Sequence, residues 1–150
     1  MDDKMILFKE MKGSCTTKHG VIATLAKELN IPLCKKVGIY KLTEEIVTGT
    51  NEILKEYELP YVPMIHCFLT YNKFNFDLTS GNFNGKKTSI DEFIQDEQVI
   101  PFITVKDEYL LFLKVLKEKI LPSKEMEGKE RRTILKAREE AIKLLKAAIA

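Results

Sequence analysis

The chain has no apolar run that reads as a membrane span, and its short apolar patch at residues 5–8 is too brief for a signal-peptide core. The expectation is a soluble, cytoplasmic protein with no membrane partner. It also lacks a charge excess. With 24 basic against 22 acidic residues and a formal charge of +2, no nucleic-acid footprint is expected. Cysteine is scarce, at positions 15, 34 and 67, an odd set without short paired spacing. This excludes a secreted disulfide framework and leaves free thiols. Internal repeats and low-complexity tracts are missing as well.

What is present suits one folding unit. A chain of 150 residues, 45% of them hydrophobic, can bury about two thirds of its unfolded surface. Residues 1–121 read as the body. Residues 122–150, with eight basic against five acidic side chains, read as a C-terminal amphipathic helix. Glu125, Glu127, Glu130, Glu139 and Glu140 interleave its positive charges, which fits a solvated face better than a nucleic-acid surface. Its stripe of Ile134, Ala137, Ala141, Leu144, Leu145 and Ala148 must bury against the body or against a second copy, so a homodimer through this helix is one expected arrangement.

Residues 15–30 carry Val21, Ile22, Leu25, Ala26 and Leu29 at helical spacing, closed by Pro32. Ser14 is the natural N-cap and Gly13 permits a tight entry, which puts Cys15 at the first helical position. Residues 34–41 read as a strand around Gly38, and 50–57 as a short helix capped by Thr50. Residues 65–70 and 74–78 read as a β-hairpin about Asn72-Lys73. Beyond it, residues 79–88 form a Ser, Gly and Asn loop long enough to lie over a site or simply to follow the surface. Further expectations are a short helix capped by Ser89 through Phe93 and Ile94, a strand at 99–105, and an amphipathic helix at 107–121 ended by Pro122.

Cys15, His66 and Asp77 carry the chemistry in this pattern. The unpaired N–H groups of a helix's first turn stabilise a thiolate, and a neighbouring imidazole can hold its proton. If Asn72-Lys73 make a two-residue turn, Tyr71 pairs with Phe74, Thr70 with Asn75 and Phe68 with Asp77. His66 and Asp77 then share one face as diagonal neighbours, their β-carbons on the order of 7 Å apart, within reach of a hydrogen bond. A slip of one residue would send Asp77 to the other face and leave Asn75 as the fallback partner. Taken singly, each residue has an ordinary reading: a buried thiol, a satisfied strand histidine and a turn-proximal acid. Cys15, His19, Cys34 and His66 can also be drawn as a zinc set, but they are scattered and contain no Cys-x-x-Cys pair. His19 reads better as a satisfied histidine beneath the site, and Cys34 and Cys67 as core thiols, with Cys67 on the sheet face opposite His66.

Gly13-Ser14-Cys15, the helix to Ile31-Pro32, the strand Val37-Gly38-Ile39-Tyr40, Ile65-His66 and Phe76-Asp77-Leu78-Thr79 together resemble the transglutaminase-like superfamily of papain-fold thiol enzymes. The resemblance spans about residues 13–80. Asn30 stands where that family has Gly, Leu78 where it has Pro, and Phe68 where many members have Trp. The resemblance implies an α+β, papain-like core with Cys15 as nucleophile, His66 as base and Asp77 as orienter. It implies acyl transfer or hydrolysis at a peptide or glutamine amide through a thioester, with water or an amine as acceptor. No external cofactor is implied, since side chains carry this chemistry. The competing expectation is a non-catalytic binding module on the same fold.

Overall fold

The computed structural model describes residue 9, residues 14–78 and residues 87–149. At its centre is an antiparallel sheet of strands β1 (Cys34–Leu42), β2 (Val62–Tyr71), β3 (Phe74–Phe76) and β4 (Gln95–Val99), in the spatial order β3-β2-β1-β4. Helices α1 (Cys15–Glu28), α2 (Thr50–Glu56), α3 (Val105–Val115) and α4 (Arg131–Ile149) complete an α+β domain. Helices α1 and α4 pack on β2, α3 packs on β1, and α2 rests on α4. No helix among the described residues is long and apolar enough to cross a membrane.

Helix α1 has the capped ends its sequence dictates. Ser14 Oγ accepts from the Thr17 amide at 3.2 Å, satisfying one orphan donor of the first turn. At the other end Asn30 adopts φ 55°. The Asn30 amide reaches the Lys27 carbonyl at 3.2 Å and the Ile31 amide reaches the Ala26 carbonyl at 2.8 Å. That is a Schellman ending, for which Asn is the usual substitute for Gly because it tolerates the left-handed region.

The hairpin takes the register that its turn predicts, with Tyr71 opposite Phe74, Thr70 opposite Asn75 and Leu69 opposite Phe76. Asn72 and Lys73 sit at φ 48° and 68°, the two consecutive left-handed residues that match a two-residue turn to strand twist. The third strand ends at Phe76, so Asp77 leaves the sheet where a longer strand would have continued. Strands β1 and β2 pair along their length from Cys34 opposite Thr70 to Leu42 opposite Val62, which sets Gly38 beside His66. Gly38 is required there: a β-carbon would stand 2.6 Å from Phe93 Cε1, and Phe93 stacks on Phe68 with ring centroids 4.7 Å apart.

Several expectations are corrected. Residues 89–94 are not a helix; Ser89 Oγ bonds the Asp91 carboxylate at 2.8 Å instead of capping a helical turn. The strand expected at 99–105 lies earlier, at Gln95–Val99, and Thr104 caps α3 by accepting from the Asp107 amide at 3.0 Å. Helix α2 is capped by Glu44, whose carboxylate takes the Gly49 and Asn51 amides, and not by Thr50, whose hydroxyl donates to the Val47 carbonyl. Helix α3 runs on as a π-helical turn, Leu116–Ile120, up to the residues before Pro122. The C-terminal segment holds a short 3-10 turn, Lys124–Met126, before α4. Ile134, Ala137 and Ala141 are fully buried in one core with Ile39, Tyr40, Leu42, Phe112 and Leu116, whereas Ala148 of the expected stripe is exposed. The proposed loop over the site falls at residues 79–86, outside the described residues, as does Gly13.

Candidate active site

Cys15 occupies the first residue of α1, half-buried, with the Ser14 cap directly before it. The end of the helix that bears it is fastened from the sheet. Lys35, 1% exposed, donates from Nζ to the Thr16 carbonyl at 3.0 Å and to the Pro101 carbonyl at 2.9 Å. A buried ammonium held on two carbonyls ties the first turn of α1 to β1 and to the segment before α3, so Cys15 is carried on a fixed mount.

His66 and Asp77 meet, although Asp77 lies one residue past the end of β3 and the expected Phe68–Asp77 ladder pair is not formed. His66 Nε2 lies 2.6 Å from Asp77 Oδ2, a short charge-assisted contact, and the imidazole is 3% exposed. Tyr40 stands edge-on to the His66 ring at a centroid separation of 6.1 Å. Burial, followed by the negative charges of Cys15 and Asp77, raises the Tyr40 phenol above its ordinary value, so it faces the site as a neutral group.

His19, one turn along α1 from Cys15, is wholly buried and closes the arrangement from behind. Its Nε2 accepts the Leu78 amide at 3.0 Å and lies 3.9 Å from Asp77 Oδ1. Accepting at Nε2 requires a neutral ring protonated at Nδ1, and burial lowers its pKa in agreement. Nδ1 itself meets no partner in hydrogen-bond geometry among the described residues. His19 thus pins the backbone immediately after Asp77. The expected satisfied histidine beneath the site is half right: one ring nitrogen is satisfied and it holds the orienter's chain.

Cys67 departs from expectation. It is buried as predicted, but it acts directly on Cys15 and is not remote core. Cys67 acts on Cys15 through its thiol and its backbone amide, both of which lower the Cys15 pKa. The Cys67 thiol also lies 3.2 Å from Thr16 Oγ1 and 3.4 Å from Glu108 Oε1, while Thr16 donates to the same Glu108 oxygen at 2.8 Å. The hydrogen bond from Cys67 holds the Cys15 thiol well below the ordinary value; burial opposes this, and His66 and His19 add to the lowering. Cys67 is raised by the Cys15 contact, by burial and by the charges of Cys15 and Glu108. The split follows from surroundings. The Cys67 thiol and His66 favour the anion on Cys15, while burial and the Glu108 carboxylate disfavour one on Cys67, so Cys15 is the first of the two to ionise. Glu108 is itself raised, first by burial.

Beside Leu78 opens an apolar groove of about 290 Å³, lined by Ile22, Ile31, Leu33, Leu69, Tyr71 and Phe76. No three His, Cys, Asp or Glu side chains gather to hold a metal among the described residues. The zinc set drawn from Cys15, His19, Cys34 and His66 is therefore not assembled; Cys34 sits half-buried at the start of β1, opposite Thr70. Searches against family models, curated proteins and solved structures returned no match.

Cys67, Glu108, Lys35 and Tyr40 escaped the sequence reading. Glu108 looks like any first-turn helix acid, and its partner Thr16 is far away in the chain. Lys35 alone carried a signal: it is a cation on the strand face that also holds Val37 and, opposite it, Cys67.

Proposed function

We propose that this chain is a papain-like, transglutaminase-like thiol enzyme that transfers or hydrolyses acyl groups at peptide or glutamine amides. The observation that carries the reading is the 2.6 Å contact of His66 Nε2 with Asp77 Oδ2, together with a half-buried cysteine at a helix N-terminus whose pKa is lowered, His66 being among the causes. With Nε2 held by the carboxylate, Nδ1 is the nitrogen that takes the Cys15 proton. The Cys15 thiolate attacks the amide carbon, and the Cys15 backbone N–H donates to the developing oxyanion. The imidazolium returns its proton to the departing amine. Water or a second amine, deprotonated by His66, then resolves the thioester. Asp77 fixes the ring and stabilises its charged form, as the third group of such a set does. The chemistry suits the reducing cytoplasm, where the Cys15 thiol persists.

The test is iodoacetamide labelling of Cys15 across pH, with peptide amide hydrolysis and amine incorporation assayed alongside. A labelling profile shifted to acid pH and lost in His66→Ala, with turnover reduced about 10²- to 10⁴-fold in that variant, supports the enzyme. Labelling that follows an ordinary thiol, unchanged by His66→Ala, supports a binding module instead.

A further inference from the structure

We infer that Cys15 and Cys67 are a redox pair: a hydroperoxide oxidises Cys15, and Cys67, with Glu108 as its base, resolves the product into an intramolecular disulfide. The acyl chemistry proposed above passes no proton or bond through Cys67, Thr16 or Glu108, yet these three form a part-buried hydrogen-bonded cluster at the first turn of α1, from which Cys67 acts on the Cys15 sulfur. Exposure assigns the order of events. Cys15 is half-buried and open to an oxidant from solvent, whereas Cys67 is 1% exposed and meets only what Cys15 has already become. Placement assigns the partner. Cys67 stands opposite Val37, while Cys34 lies three residues earlier on β1, opposite Thr70, about 10 Å away along the strand. Of Cys34 and Cys67, it is Cys67 that acts on the Cys15 sulfur.

The chemistry balances with the hydroperoxide as sole oxidant. The Cys15 thiolate attacks the terminal peroxide oxygen; the O–O bond breaks, the alkoxide leaves as the alcohol after taking a proton, and Cys15 becomes a sulfenic acid. Cys67 then gives its proton to Glu108, whose Oε1 lies 3.4 Å from the sulfur. The Cys67 sulfur attacks the Cys15 sulfur, the S–S bond forms, and the S–O bond breaks. The departing hydroxide recovers the proton from Glu108 and leaves as water. In sum, two thiols and one hydroperoxide give one disulfide, one alcohol and one water. The disulfide removes the nucleophile from acyl transfer and spares it irreversible oxidation, and a thiol reductant restores it.

The experiment is non-reducing peptide mapping and intact-mass analysis of the full chain treated with one equivalent of hydrogen peroxide. The expected result is loss of two hydrogen atoms, a Cys15 peptide linked to the Cys67 peptide, and iodoacetamide labelling of Cys15 that disappears and returns with dithiothreitol. Oxygen addition at Cys15 without a link, or a link to Cys34, overturns the inference. Cys67→Ser, nearly isosteric, is expected to stop at the Cys15 sulfenic acid with one equivalent of peroxide and to pass on to the sulfinic acid, without recovery, when a second equivalent is added. Glu108→Gln is expected to slow linking about a hundredfold, with the sulfenic acid trapped by dimedone; linking at the wild-type rate removes Glu108 from the scheme. These readouts need no acyl substrate, so failure here leaves the acyl proposal standing, and failure of that proposal leaves the disulfide testable.

Discussion

Gly20→Ala sets local helix preference against packing at the element that bears Cys15. Gly20 lies mid-helix in α1 and is buried. Intrinsic propensity favours the substitution by about 1 kcal/mol. The surroundings oppose it: an added β-carbon would come within 2.5 Å of the Pro101 carbonyl oxygen and 3.2 and 3.3 Å of two Phe102 ring atoms. Real β-carbons do not approach closer than 3.0 Å, so α1 or the Pro101 backbone must retreat by about 0.5 Å. The same Pro101 oxygen accepts from Lys35 Nζ, which couples any retreat to the anchor of the first turn. Overpacking of this kind costs about 1–3 kcal/mol. The balance is a net destabilisation of about 1 kcal/mol, or a midpoint lowered by roughly 2–4 °C. Thermal unfolding by circular dichroism measures it, and Cys15 alkylation on the same samples is expected to slow as the helix start shifts. A midpoint equal to or above wild type would refute the reasoning, because α1 would then be free to slide and propensity alone would decide.

Two further outcomes are expected at the site. Asp77→Asn keeps the shape and removes the charge facing His66 Nε2; a charge-assisted bond worth about 1.5–3 kcal/mol is weakened, so the Cys15 labelling profile moves to higher pH and labelling at neutral pH falls about tenfold. An unmoved profile would remove Asp77 from thiolate stabilisation. Separately, the folded-state pKa of Cys15 lies below its ordinary value of 9.0, so ionisation favours the folded state at pH above that value and this contribution is lost as pH falls through the lowered pKa. Chemical denaturation of wild type against Cys15→Ser, run downward from pH 9, is expected to show their stability difference shrinking in favour of the variant; a difference independent of pH contradicts the lowered pKa.

The parts of this protein that were legible from sequence are those fixed by local chemistry. Ser14 had to cap something, and Asn72-Lys73 could make only a tight turn, whose register carries β3 to Phe76 and so brings the next residue, Asp77, within reach of His66. Helix spacing in residues 15–30 left little choice for α1. Strand β4 was missed because Gln95, Asp96, Glu97 and Gln98 carry no apolar alternation; it is an edge strand in which exposed Asp96 and Gln98 alternate with half-buried Gln95 and Glu97, with Asp96 paired to Lys36 at 2.7 Å. The same tertiary override turned an apparent helix start at Ser89 into extended chain. In the site, the Cys67–Thr16–Glu108 cluster joins three distant segments through side chains that are each ordinary in their own neighbourhood, so no local signal marked it.

Because β3 ends at Phe76, the amide of Leu78 finds its acceptor on a ring of α1 instead of on a neighbouring strand. The hairpin can close early from its own turn, since its contacts are near in sequence, but the last residues of that arm stay unanchored until the distant helix arrives. Docking of α1 is therefore what anchors the arm that ends in Asp77, the residue that meets His66.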